Sequence, residues 1–219
     1  MTMNIHHYIL NDFDPLDVSV SVREARELAR QFTYTHIPVS KEGQFIGCMS
    51  ETDAGCFEGD RILEDFSYAI EPIFVSLETN WLDVLEAFAV QDSNIMPVMD
   101  ESRYLGYYEL SDIIEIFNNT PFLSEPGGII VIEKGLHDYS FSEISQIVES
   151  NNAHLYGIIV SEIKDDMVEV TLKIGQQNIN NVVQTLRRYN YTILSQHDED
   201  KMAEDLKQRS KYLDKYLNI

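Results

Sequence analysis

The chain has 219 residues, 44% of them hydrophobic and 24% charged, with a formal net charge of -21. That length holds one large domain or two small ones, and so acidic a surface argues against nucleic acid as a partner, because such binding rests on cations meeting phosphates. No apolar run nears the ~18 residues of a membrane span, residues 1–11 lack the order of a signal peptide, and Cys48 and Cys56 are too few for a disulfide framework or a zinc site; the expectation is a cytoplasmic protein with no membrane partner.

The first half repeats itself. An extended piece, Val18-Ser19-Val20, precedes a helical pattern in which Val22, Ala25, Leu28, Ala29 and Phe32 share a face. A strand ending in Pro38-Val39, a polar turn at residues 40–43 and a second strand over residues 44–49 follow, and a short helix begins near Thr52. The same order returns as Val75-Ser76-Leu77, a helical run with Leu82, Leu85, Phe88 and Ala89, a strand ending in Pro97-Val98, a turn at 100–103, a strand over 104–108 and a helix near Ser111. A shift of 59 residues aligns the copies without a gap: Pro38 falls on Pro97, Gly47 on Gly106 and Asp53 on Asp112. Each copy is therefore expected to be β-α-β-β-α. Tyr104, Tyr107 and Tyr108 are expected in core packing, and Cys48 as a buried free thiol.

This duplicated unit resembles the CBS domain, carried by His36-Ile37-Pro38-Val39, Phe45-Ile46-Gly47-Cys48-Met49 and Ser50-Glu51-Thr52-Asp53, with matching runs from Ile95 to Asp112. The resemblance implies a pseudo-twofold pair, a Bateman module, with two clefts between the repeats. Family members that bind adenosine compounds place a Ser or Thr three residues before an Asp that holds the ribose. Copy one keeps this as Ser50 and Asp53, with Thr35, His36, Ile37 and Pro38 as wall candidates; copy two keeps Asp112 but has Glu109 where the hydroxyl should be. Ser50-x-x-Asp53 is also a helix-capping pattern, so capping and ligand roles stand side by side. Only Arg23, Arg26, Arg30, Lys41, Arg61 and Arg103 are basic before residue 125. Polyphosphates want cations, so AMP or S-adenosylmethionine is expected rather than ATP, or no ligand at all.

Residues 118–128 hold two prolines, two glycines and a polar run, read as a linker over 121–127. Beyond it come a strand at Ile129–Ile132, a helix from Ser140 to Ser150 with Glu143 completing a capping box, and strands over 154–163 and 167–174 around Asp165-Asp166. A helix over 178–188 and a strand over 191–196 close the unit. The order β-α-β-β-α-β is ferredoxin-like and resembles an ACT domain. In that family the first β-to-α turn, here Gly135-Leu136-His137-Asp138, often holds an amino acid; dimerisation is the alternative role. Residues 198–219 read as one helix with acids first and bases later.

The expected fold class is α/β (α+β): a CBS pair over 1–120 (copies about 5–62 and 63–120), the 121–127 linker, an ACT-like domain over 128–197 and a C-terminal helix over 198–219. The CBS-then-ACT order is similar to accessory proteins of acetoin utilisation. No Ser-His-acid signature appears, and Gly127-Gly128 precedes a strand rather than a helix. The expected function is a non-catalytic regulator or sensor, needing no cofactor, acting as a homodimer on an unidentified protein partner. The alternative is a ligand-free scaffold.

Overall fold

The computed structural model describes residues 5–195. The chain divides into two compact units, Met1–Phe117 and Asn118–Ile219, each mixing helices and sheet. The helix expected over 198–219 lies outside the described residues. Among the described residues no helix is long and apolar enough to cross a membrane.

In copy one, β1 (Leu16–Asp17) runs parallel to β2 (His36–Lys41), which pairs antiparallel with β3 (Gln44–Ser50). The strand expected at Val18–Val20 ends earlier, because the Asp17 carboxylate accepts bonds from the backbone and hydroxyl of Ser19 (3.0 and 2.6 Å) and turns the chain. Helix α1 (Val22–Phe32) starts where Ser21 accepts from the Glu24 N–H and stops at Thr33, which is left-handed at φ 59°. It buries Val22, Ala25 and Ala29 against Ile37, Val39 and Met49. Helix α2 (Glu51–Cys56) follows β3 directly.

Copy two repeats the plan. After β4 (Ile70–Glu71) come β5 (Val75–Ser76), α3 (Trp81–Gln91), β6 (Ile95–Asp100), β7 (Arg103–Glu109) and α4 (Leu110–Asn118). Asn80 caps α3 by accepting from the N–H groups of Leu82 and Asp83, and Val84, Phe88, Met96, Val98, Tyr108 and Ile113 form the core. Tyr107 and Tyr108 are buried, and Tyr104 stacks on Phe45 at 5.5 Å. Cys48 is a buried free thiol whose burial pushes its ionisation far up; Cys56 is exposed.

The copies exchange their edge pairings, a strand on one side and a single bridge on the other. β4, near the start of copy two, pairs with β3 of copy one; Leu10, near the start of copy one, bridges antiparallel to Tyr107 in β7 of copy two. Leu63 belongs to the copy-one core, whereas Ile5 belongs to that of copy two. The boundary expected at 62/63 is thus not the boundary of the sheets. The repeated glycines follow from this exchange. Gly47 (φ +146°) and Gly106 (φ +141°) sit where a Cβ would run into the Glu71 and Leu10 carbonyl oxygens, respectively. Only a residue without a side chain lets the exchanged strand approach.

In the second unit, β8 (Gly127–Gly135), β9 (Leu155–Lys164), β10 (Met167–Gly175) and β11 (Thr192–Ile193) form an antiparallel sheet in the order β11-β8-β10-β9. Its core joins Ile130, Ile132, Val170 and Leu172 to Ile144, Ile147 and Leu186, the last three from α6 (Phe141–Ser150) and α7 (Ile179–Arg188). The stretch expected as linker carries structure: α5 (Pro121–Ser124) has Pro at its first position, and Phe122 sits over Gly157, where any Cβ would collide with its ring.

Candidate functional site

A cleft of about 290 Å³ opens in the first unit at the C-terminal end of β3. Copy one contributes Thr35, His36, Cys48, Ser50, Thr52 and Asp53 to its lining. The opposite wall is Ala69, Glu71 and Ile73 from the exchanged segment, with Gln91 and Asp92 from the end of α3.

Ser50 and Asp53 are held by a local motif and Thr35 by a long-range one. Ser50 is the N-cap of α2: the Asp53 N–H donates to its Oγ (3.0 Å), and the Ser50 hydroxyl donates to the Asp53 carboxylate (2.7 Å). An ionised carboxylate has about four acceptor positions, so Asp53 retains acceptor capacity for a ribose hydroxyl. Capping and ligand roles are compatible at this pair. Thr35 sits on the pseudo-twofold, facing its own repeat equivalent: its N–H donates to Asn94 Oδ1 (2.9 Å), and the Asn94 N–H donates to Thr35 Oγ1 (3.0 Å). The Thr35 hydroxyl also lies 3.0 Å from His36 Nδ1.

His36 is buried, and burial holds its imidazole below the ordinary 6.5 against the pull of Glu71, Asp92 and Asp53. It is neutral at pH 7. The sign of its pH effect follows. Below 6.5 the unfolded chain takes up a proton that folded His36 resists, so stability is intact above 6.5 and falls as the pH drops from 6.5 through the lowered folded value. His36→Asn is expected to flatten this loss, read as the urea midpoint at pH 7.5, 6.5 and 5.5. An unchanged slope would place the acid sensitivity elsewhere.

Two wall candidates are not brought to the cleft. Ile37 points into the copy-one core, fully buried, because successive residues of a strand face opposite ways and His36 takes the cleft side. Pro38 is buried opposite Cys48 and lies outside the lining. Asp112 sits in the other copy, at the start of α4, where burial first and then Glu109 and Glu115 push its carboxyl up. Glu71, Asp92 and Gln91 escaped the sequence reading. Glu71 reaches the cleft only through the strand exchange.

The electrostatics are one-sided. Asp53, Glu71 and Asp92 line the cleft, and none of its lining residues is Lys or Arg. Among the described residues no group of three or more His, Cys, Asp or Glu could hold a metal ion. In the second unit, the Gly135–Asp138 turn borders a cavity of about 420 Å³ that Glu133, Lys134, Met167 and Asn190 also line. Nearby, Lys134 Nζ meets Glu143 at 2.9 Å, and the Tyr191 hydroxyl donates to the same carboxylate oxygen at 2.8 Å.

No family model matches the chain, and no curated protein matches it. Among solved structures it is similar to a CBS domain pair/ACT domain protein from Thermotoga maritima, with 25% identity over 52% of this chain and 96% of that one (TM-score 0.47). It is also similar to the CBS domains of a transcriptional regulator from Streptococcus pneumoniae, with 19% identity over 52% and 98% (TM-score 0.45). A third is the CBS domain of a bacterial CNNM/CorC family Mg2+ transporter in complex with ATP, with 16% identity over 51% and 84% (TM-score 0.42).

Proposed function

We propose that this chain is a non-catalytic regulatory module, a CBS pair followed by an ACT-type domain, whose copy-one cleft takes an adenosine compound. The observation that carries the reading is the cleft itself: about 290 Å³, with Asp53, Glu71 and Asp92 in its walls and no lysine or arginine among its lining residues. That volume is at the low end of small-molecule sites and suits a nucleoside with a short substituent. Three carboxylates repel a triphosphate and favour a cationic adenosyl group. S-adenosylmethionine therefore fits better than AMP, and AMP better than ATP. The ligand acts only if it binds one arrangement of the pair better than another; a homodimer then passes that difference to a protein partner. The second unit serves dimerisation in this scheme, and the order of the units is that of accessory proteins of acetoin utilisation.

The test is thermal unfolding of the full chain with S-adenosylmethionine, AMP, ATP and adenosine. At one hundred times Kd a ligand adds about 2.7 kcal/mol. Asp53→Asn keeps an oxygen for Ser50 but removes the charge. A hydrogen bond to a charged group is worth about 1.5–3 kcal/mol, so affinity is expected to fall about tenfold or more, with Asp112→Asn unchanged. The competing reading is a ligand-free scaffold, supported by the Asp53 carboxylate already accepting from the hydroxyl of Ser50, the N-cap of α2. No response to any of the four compounds would establish it in place of the sensor.

A further inference from the structure

The open cleft has a repeat-related twin, and the 59-residue relation that sets Thr35 against Asn94 locates it. Copy two offers Ile95 for His36 and Tyr107 for Cys48; the facing walls offer Asp12 for Glu71 and Phe32 for Gln91. Three of these four differences replace a smaller or polar side chain with a bulky apolar or aromatic one. Phe13 and Tyr34 add two more rings at positions whose repeat equivalents are Pro72 and Ser93.

These side chains fill the twin. Leu10, Phe13, Phe32, Tyr34, Ile95 and Tyr107 pack as a cluster of their own. Tyr107 is fully buried, with its ring 4.9 Å from Phe13 and 5.7 Å from Tyr34. The Tyr107 hydroxyl donates to Asp12 (2.6 Å) and lies 2.9 Å from the Tyr34 hydroxyl, which donates to Glu109 (2.8 Å). Asp12 and Glu109 stand where Glu71 and Ser50 stand in the open cleft, and both accept from the protein's own hydroxyls.

We infer that the chain is a one-site receptor: Tyr107, wedged with Tyr34 into the second cleft, sets the binding stoichiometry at one ligand per CBS pair. The stoichiometry rests on the adenosyl reading above; the filling of the cleft does not. The wedge also ties copy one to copy two through Tyr34–Glu109, so a ligand-driven change is confined to the open side.

Two measurements need no ligand. Tetranitromethane treatment of the native chain, followed by peptide mapping, is expected to nitrate exposed Tyr68 first and Tyr107 about tenfold more slowly or less, since reaction must await local opening. Tyr107→Cys installs the side chain of copy one and leaves a ring-sized void walled by Phe13 and Tyr34, with the Asp12 carboxylate free to accept from a phenol hydroxyl. Phenol is then expected to raise the unfolding temperature of the variant and not of the wild type, because such voids take up small aromatics. Equal nitration of Tyr107 and Tyr68, or phenol acting alike on both proteins, overturns the wedge. Equilibrium dialysis with S-adenosylmethionine is expected to give one bound per chain at saturation, with half-saturation about tenfold or more higher in Asp53→Asn. Two per chain overturns the one-site inference, whereas none per chain removes S-adenosylmethionine as the ligand and leaves nitration and phenol to decide whether the cleft is filled.

Discussion

Gly106→Ala is expected to lower the free energy of unfolding by about 3 kcal/mol, and Gly47→Ala by a similar amount. Both glycines have φ near +140°, and both lie under the carbonyl of an exchanged strand: Leu10 over Gly106 and Glu71 over Gly47. A methyl group at either position adds backbone strain to a collision with main chain, which cannot rotate aside as a flexible side chain can. The single tryptophan, Trp81, packs against the copy-two core, so its fluorescence in urea reports on this unit. At roughly 1–3 kcal/mol per molar urea, the midpoint should fall by about 1 M or more. Gly55→Ala is the control. Gly55 lies inside α2, with nothing within 4 Å of an added Cβ, and alanine there should be neutral or stabilising by a few tenths to about 1 kcal/mol. If all three variants unfold alike, the glycines do not serve the exchange.

Ile37→Ala is the second large effect, and it separates a core role from a binding role. Ile37 is fully buried beside Val22, Val39 and Met49. Truncating such a side chain removes transfer free energy and leaves a cavity, costing about 2–5 kcal/mol. Because Ile37 turns away from the cleft, the folded variant should bind S-adenosylmethionine as the wild type does, measured well below its unfolding transition. Weaker binding at full folding would return Ile37 to the cleft wall.

Much of the fold was legible because each copy repeats local signals that physics reads in only one way. Helical spacing at Val22, Ala25 and Ala29, the polar turns, and the glycine and Pro-Val matches all recur as helices and hairpins. The exchange was not legible. A strand near the start of copy two looks the same in sequence whichever sheet it joins, and only long-range pairing decides. The short helix at Pro121–Ser124 was hidden by its two neighbouring glycines, which read as linker although Gly127 and Gly128 begin β8. In the cleft, Ser50 and Asp53 were visible because the motif is local, as were Thr35 and His36. Ile37 packs in the core because a strand offers alternate faces, so four consecutive residues cannot all share one wall. Glu71 and Asp92 arrive from elsewhere in the chain, one through the exchange and one at the end of α3. The aromatic filling of the twin cleft was readable in principle: setting Tyr34 against Ser93 and Tyr107 against Cys48 shows the asymmetry before any coordinates do.

The crossed strands also govern what trimming would do. A protease cut or an affinity tag just ahead of Phe13 would loosen not the adjoining half but the remote one, because Leu10 is stitched to Tyr107 and Ile5 is buried among copy-two side chains. Neither half can be excised with its edge pairing intact, since β3 keeps β4 from the other copy and β7 keeps its bridge to Leu10. Damage at the extreme N-terminus would be felt first on the side that Tyr107 closes.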